Sequence, residues 1–358
     1  MRTVIVVGAG ATLAEALPAR PNQATTPPLD ATFFHLCSFA KLTGRDVVKK
    51  YMTSTYGIDP LNGHNTMEQI FNYIHADAVS PYSSAQCLEA YWALTLMYAE
   101  AIRTTTHTLE GSSRSGVGAL LRCLYRGDPA GEVVFVTFNQ DLVIERSIQT
   151  TVEMTKYSHI PWNLASCYQT EFAGYLHGNR GARFTFASAR PRPRSTLILK
   201  LHGSLNWVYP ARSATDRQNA IRNPTTRPLL QINRVLPGSM RYTPQQRSVP
   251  LLPLIVPPIY EKTPRYRKAL SPIWGAAETR LTSAERLIIF GYSFPATDLA
   301  ARSLFRRCFH RNDSLREIHV IDPAPAAGAT VASLTDASCT HLYRSVEVFS
   351  ERFAHGQP

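Results

Sequence analysis

The sequence predicts an α/β protein built on a doubly wound parallel sheet that carries a large helical insertion. Three observations carry that expectation. Thr3-Val-Ile-Val-Val7 is an unbroken β-branched run ending in Gly8-Ala9-Gly10-Ala11-Thr12, the pattern of a buried parallel strand entering a tight turn. Further short apolar runs, each followed by glycine or a polar residue, alternate with helical spacing later in the chain. Between the first two strands, residues 31–128 read as helix throughout.

Taken in order, the first strand and its turn lead into Pro18–Pro28, whose four prolines mark a loop. Apolar residues three and four apart predict helices over Thr66–His75 and Leu88–Ile102. Glu132–Thr137 is a second strand, Gln140–Glu153 a helix, and Thr196–Leu201 a third strand that runs into His202-Gly203. Leu251–Val256 is expected as another strand, at an edge because Pro253 removes a donor. A helix around Lys268–Thr282, strand Leu287–Phe290, helix Thr297–His310, strand Ile318–Ile321 and a last strand within Leu342–Phe349 complete the pattern. The expected division is a Rossmann-like core over 1–30 and 129–358, a helical insertion over 31–128, and an Arg/Pro-rich basic flap over 180–250 within the core.

The chain has 358 residues, 44% of them hydrophobic and 18% charged, enough apolar material for a sizeable core. Its 38 basic residues outnumber 26 acidic ones, for a net charge of +12. That excess is local: Arg180–Pro250 holds thirteen basic residues and one acid, Asp216, and the remainder is neutral. The region Arg180–Arg247 is therefore expected to meet an acidic partner, a nucleic acid or an anionic nucleotide. No apolar run approaches the ~20 residues a membrane span requires. Met1–Val7 shows no cleavage-site pattern, so the expected location is the cytoplasm. The six cysteines include no C-x-x-C and the eleven histidines no H-x-x-x-H, so no metal is expected.

In open α/β sheets ligands gather at the carboxyl ends of strands, near the reversal of strand order. Those ends carry Gly8-Ala9-Gly10-Ala11, Phe138-Asn139-Gln140-Asp141, His202-Gly203-Ser204-Leu205-Asn206-Trp207, Gly291-Tyr292-Ser293-Phe294-Pro295 with Asp298, and Asp322-Pro323. Gly8 and Gly10 suit a close approach to pyrophosphate, but position 13 is Leu and no acid stands at the ribose-binding spacing. Asp30 has roughly that spacing but follows proline-rich loop, which disfavours an ordinary NAD(P) dehydrogenase. His177-Gly178 repeats the His-Gly pair without a preceding β-branched strand and reads as loop or surface; His35 and His75 fall in helical patterns. Trp207 and Trp274 read as core or rim aromatics, and Glu145 as a helix-face carboxylate or a member of the Asn139-x-Asp141 motif.

The ordered set Gly-Ala-Gly-Ala-Thr12, Thr137-x-Asn139-x-Asp141 with Glu145, Lys200-Leu-His-Gly-Ser-x-Asn-Trp207, Pro257-Pro258, Gly291-Tyr-Ser-Phe-Pro-x-x-Asp298 and Ile321-Asp-Pro resembles the sirtuin-like family. More narrowly it looks like the prokaryotic branch of NAD+ hydrolases in antiphage defence. The resemblance implies an enzyme cleaving the nicotinamide–ribose bond of NAD+ as substrate. It assigns catalytic roles to Asn139 and His202, and NAD+ contacts to Gly8, Ala9, Gly10, Thr12, Asp141, Gly291, Ser293, Asp298 and Asp322, although Asp298, one turn into a helix, reads equally as its cap. It further implies a homo-oligomer or a separate activating subunit of Argonaute type, HerA type or nucleotide-sensing type. The chain departs from deacylating sirtuins by lacking the four-cysteine zinc module and the Gly-Ile-Pro-x-Phe-Arg loop, so protein deacylation ranks last. Gln140 stands where the hydrolase branch more often has an aromatic residue, which keeps open a catalytically silent nucleotide sensor or scaffold.

Overall fold

The computed structural model describes residues 1–17, 26–39, 42–62, 64–107, 109, 115–177, 183–185, 196–210, 213, 216, 221, 227–231, 241–242, 249–259, 264–296, 298–335 and 340–355. Strands β1 (Arg2–Val7), β2 (Glu132–Thr137), β5 (Leu197–Lys200), β10 (Arg286–Phe290), β11 (Glu317–Ile321) and β12 (Thr340–Tyr343) form one sheet, in the order β12-β11-β10-β1-β2-β5. Every pairing in it is parallel. The chain builds outward from β1 through β2 to β5, then returns to the other side of β1 and builds outward again from β10. This is the doubly wound, Rossmann-like order, and its switch point lies between β1 and β10. The unbroken apolar runs follow from burial on both faces: all but the first residue of β1 is buried.

Helices α1 (Ala9–Ala16), α6 (Gly116–Gly127), α7 (Val143–Glu153), α8 (Pro264–Thr282), α9 (Leu299–His310), α10 (Pro325–Thr335) and α11 (Val346–Ala354) accompany this sheet. Side chains of α6 such as Leu120, Leu121 and Leu124 share one apolar cluster with Val6, Val134 and Ile288 of the strands. Helices α2 (Phe33–Phe39), α3 (Arg45–Tyr56), α4 (Met67–Val79) and α5 (Ala85–Thr106) build a second cluster around Phe33, Phe71, Ile74, Leu94 and Met97. The start of α4 is fixed by a capping box. Thr66 accepts from the Gln69 amide, and the Gln69 side chain accepts from the Thr66 amide.

A second sheet was not foreseen as a separate layer. Strands β3 (Gly174–His177), β4 (Arg183–Thr185), β6 (Gly203–Pro210), β7 (Leu229–Gln231), β8 (Arg241–Tyr242) and β9 (Val249–Ile255) lie in the order β4-β3-β7-β6-β9-β8, antiparallel except where β3 meets β7. The strand expected over Leu251–Val256 thus belongs here, inside the sheet rather than at its edge. Pro253 is tolerated because it faces Val208 at a break in register between β6 and β9. Trp207, Leu230 and Leu254 of this sheet join the first cluster, and Leu205, Leu252 and Ile255 the second, so the sheet bridges the two cores.

Smaller differences have local causes. The helix expected from Gln140 begins at Val143, leaving residues 139–142 outside regular structure. The strand expected over Leu342–Phe349 stops at Tyr343, because Ser345 caps α11 by accepting from the Val348 amide. His177, expected in a loop or at the surface, closes β3. Of the basic region, Arg190, Arg192 and Arg194 lie outside the described residues, and the described parts of 180–250 supply strands. Lys200, one of its thirteen cations, is buried in β5.

Candidate active site

The switch point is closed by backbone packing. The Gly8 amide donates to Phe290 O at 3.1 Å, the Gly10 amide to Gly291 O at 3.0 Å, and the Ala11 amide to Gly8 O at 3.0 Å. A Cβ on Gly8 would stand 2.5 Å from Gly291 O, and one on Gly10 2.9 Å from the same atom. Gly291 has φ +59°, and its Cβ would stand 2.1 Å from the Ala11 nitrogen. All three glycines are therefore required by the contact between the turns after β1 and β10.

Asn139 is held beside this contact from both sides of its amide. Its backbone N–H donates to Thr137 Oγ1 at 3.0 Å, while Thr137 donates to Val7 O at 2.9 Å. The side-chain Nδ2 donates to Gly8 O at 2.8 Å and to Thr12 Oγ1 at 3.0 Å. Thr12 in turn donates to Asp141 Oδ2 at 2.7 Å, so its oxygen must accept from Asn139. These partners fix the amide orientation by chemistry: Gly8 O accepts only, and the Thr12 proton is committed. Both Asn139 side-chain protons are consumed, and Oδ1 accepts nothing among the described residues. Asp141 Oδ1 accepts from the amide of Val143, the first residue of α7, at 3.0 Å. Burial pushes the Asp141 carboxyl up, against the pull of the Lys200 ammonium.

His202 occupies the corner where β5 of the parallel sheet passes into β6 of the antiparallel one. Gly203 makes the corner possible, with φ +77° and a Cβ position only 2.1 Å from Leu254 O. The His202 ring stands edge-on to Phe138 at 5.0 Å, and Phe138 stacks on Tyr292 at 4.6 Å. His202 is 8% exposed, and its Nε2 lies 3.9 Å from Asp298 Oδ2, beyond hydrogen-bond length. Asp298 caps α9 by accepting from the Ala301 amide at 3.2 Å, and it accepts from the Tyr292 hydroxyl at 3.4 Å. It thus caps the helix, as its position near a helix start allowed, and also faces the imidazole.

Gly8, Gly10, Thr12, Asn139, Asp141 and Gly291 form one contact network, joined through Phe138 and Tyr292 to His202 and Asp298. Ala9 and Ser293 are exposed at the same strand ends. Asp322 sits after β11, on the far side of β10 from β1, where it accepts from the Ala324 amide and its own amide donates to Tyr343 O. Gln140 points away from this network: its Oε1 accepts from the Tyr98 hydroxyl at 2.9 Å and its Nε2 donates to Val256 O at 3.3 Å. Tyr98, on α5, had no local sign in the sequence. Glu145 does not pair with a helix neighbour; it takes Lys200 Nζ and the Tyr168 hydroxyl, each at 2.7 Å. Trp207 is fully buried against Tyr168 and Phe172, and Trp274 donates to Leu201 O at 3.0 Å beside Phe138. His75 is buried in α4 and His35 is exposed on α2. Among the described residues no three His, Cys, Asp or Glu gather as a metal-binding group, and no helix is long and apolar enough to cross a membrane.

The strand order defines a doubly wound α/β protein, and polar groups converge at its switch point, the position where ligands meet open α/β sheets. No protein-family model matches the chain, and no curated protein matches it. Among solved structures it is similar to one described as the structural basis for the mechanism and regulation of Sir2 enzymes, at 11% identity and a TM-score of 0.31, over 99% of this chain and 90% of that chain.

Proposed function

We propose that this protein is a sirtuin-like NAD+ hydrolase that adds water across the nicotinamide–ribose bond, giving nicotinamide, ADP-ribose and a proton. The observation that carries this reading is the state of Asn139: both amide protons are spent on Gly8 and Thr12, and Oδ1 alone is left to accept. An acceptor fixed in that way suits a ribose hydroxyl or the attacking water. Departure of a cationic leaving group develops positive charge on the ribose, so positioning of the water matters more than strong acid catalysis. His202 stands at the neighbouring strand end and takes the proton of the water or polarises the hydroxyl. Asp298, across from its Nε2, favours the imidazolium that results.

In the cell this activity depletes NAD+ during antiphage defence, held inactive until the chain assembles or a partner subunit engages it. The motif resemblance supports that part of the reading. The basic region Arg180–Arg247 is the proposed anionic contact.

The test is nicotinamide release from NAD+ by the purified protein, alone and with its genomic neighbours. Asn139→Ala and His202→Ala are each expected to lower release by about 100-fold or more while leaving the far-ultraviolet circular dichroism unchanged. Full turnover by either folded variant refutes the assignment. NAD+ that binds but stays intact under every condition favours the silent sensor or scaffold instead, and deacylation of an acetyl-lysine peptide would restore the deacylase.

A further inference from the structure

Lys200 is 1% exposed at the end of a strand whose other residues are all apolar. A buried ammonium costs several kcal/mol unless it is fully paired, and an apolar residue of equal size often serves stability as well or better. Its partners are therefore informative. Nζ donates to Glu145 Oε1 at 2.7 Å and to the main-chain oxygen of Asp141. Glu145, 3% exposed, is itself held by Tyr168, whose hydroxyl accepts from Asn206 Nδ2 at 3.1 Å. In the sheet Lys200 lies opposite Thr137, the residue that holds the Asn139 amide.

We propose that Lys200, seated by Glu145, is a positioning residue for Asn139. The segment between β2 and α7 is pinned at both ends: Thr137 holds it before Gln140, and Lys200 holds the Asp141 carbonyl after it. The Asp141 carboxylate is thereby placed to take the Thr12 hydroxyl, which leaves the Thr12 oxygen to accept from Asn139 Nδ2. Remove the ammonium and the Asp141 backbone loses its anchor, Thr12 loses its fixed direction, and the Asn139 amide is free to turn its donors outward. Lys200 acts through the Asp141 backbone and touches neither the ribose nor the water. The inference rests on the reading of Asn139 as the group that orients them.

The test uses the full chain. Lys200→Met alone would strand the Glu145 carboxylate, so the informative variant is the neutral, near-isosteric pair Lys200→Met with Glu145→Gln. In that variant kcat for NAD+ is expected to fall about tenfold or more while KM stays within about twofold, because a small misplacement of a reacting contact is costly. Selective 15N-asparagine labelling reads the same event without activity, with Asn139 assigned by the pair of side-chain amide signals missing from Asn139→Asp. Those two signals are expected to shift and broaden in the double variant. Glu145→Gln alone keeps the hydrogen bonds and is expected to move them in the same direction by less, which preserves the test should the double variant not fold. Unchanged Asn139 signals in a folded variant overturn the proposal, whatever the turnover. If the wild-type chain proves inactive on NAD+, the catalytic reading fails and the amide signals still decide the positioning role.

Discussion

Tyr98→Phe removes one oxygen atom from the contact between the helical layer and the segment carrying Asn139. The Tyr98 hydroxyl is buried and donates to Gln140 Oε1 at 2.9 Å, and among the described residues neither atom has another partner. The ring itself packs edge-on against Phe33 and Phe71, at 5.9 Å in both cases, so phenylalanine fills the site unchanged. What is lost is the satisfaction of a buried amide oxygen, which costs about 1–3 kcal/mol, more than the net worth of an average hydrogen bond. In a chain of this length each kcal/mol moves Tm by about 2–4 °C or somewhat less. Urea unfolding and thermal scans should both register the loss. The decisive comparison is a cycle with Gln140→Leu, in which the acceptor is already gone and Tyr98→Phe should cost nothing further. An equal cost in both backgrounds would show that the bond does not couple the two layers, and that α5 has no energetic link to Asn139 through Gln140.

Two further outcomes are specific to the fold. Gly291→Ala should abolish soluble folded protein, since it combines φ +59° with a Cβ 2.1 Å from the Ala11 nitrogen. Gly57→Ala is the control: φ is +68° but nothing lies within 4 Å, so the cost should be only the about 1–2 kcal/mol of the left-handed backbone. The third concerns pH. His319 is buried between Tyr343 and Glu317, and burial holds its pKa below the usual 6.5. Below pH 6.5 the unfolded chain therefore takes up a proton that the folded chain refuses until lower pH, so stability is lost as pH falls through that window. His319→Gln should flatten the decline in Tm as pH falls below 6.5, whereas the depressed carboxyl of Glu317 acts only below its ordinary 4.5. An unchanged slope in the variant would assign the decline to other groups.

Strands β1, β2 and β10 were legible because strands buried on both faces spell themselves out as unbroken apolar runs followed by glycine or a polar residue. By contrast β12, Thr-His-Leu-Tyr at the sheet edge, has no such run and met its expected span only at Leu342 and Tyr343. Asn139, Asp141 and His202 were legible for the same reason: a strand end is both a pattern boundary and the place where ligands meet the sheet. The antiparallel sheet was not. Its strands β3, β4, β7 and β8 run for two to four residues among arginines and prolines, too short for any period to register. Strand β6 was masked by reading Gly203–Trp207 as a motif after a strand, although the turn it makes is what puts His202 at a corner between two sheets. Tyr98 and Gln140 are 42 residues apart and meet only because the helices fold over the strand ends. Lys200 was visible as an anomaly, a charge inside an apolar strand, but its purpose needed the position of Asp141.

The glycines of the first turn carry less about the ligand than their motif promised. Gly8 and Gly10 were expected to open room for a pyrophosphate, yet the atom that excludes a side chain at both is a protein oxygen, that of Gly291. Their amides, and that of Ala11, already end on backbone carbonyls. A glycine-rich turn at this point is thus demanded by the approach of two neighbouring strands, and would be present whether or not phosphate ever bound there. The same close packing brings the Gly8 carbonyl within reach of Asn139, and that carbonyl consumes one of the two protons that would otherwise face a ligand. The turn acts on Asn139: together with Thr12 it takes both side-chain donors, which leaves Oδ1 as the part of that amide with no partner among the described residues, and under the proposed function the weight of the motif moves from the glycines to the residue they hold.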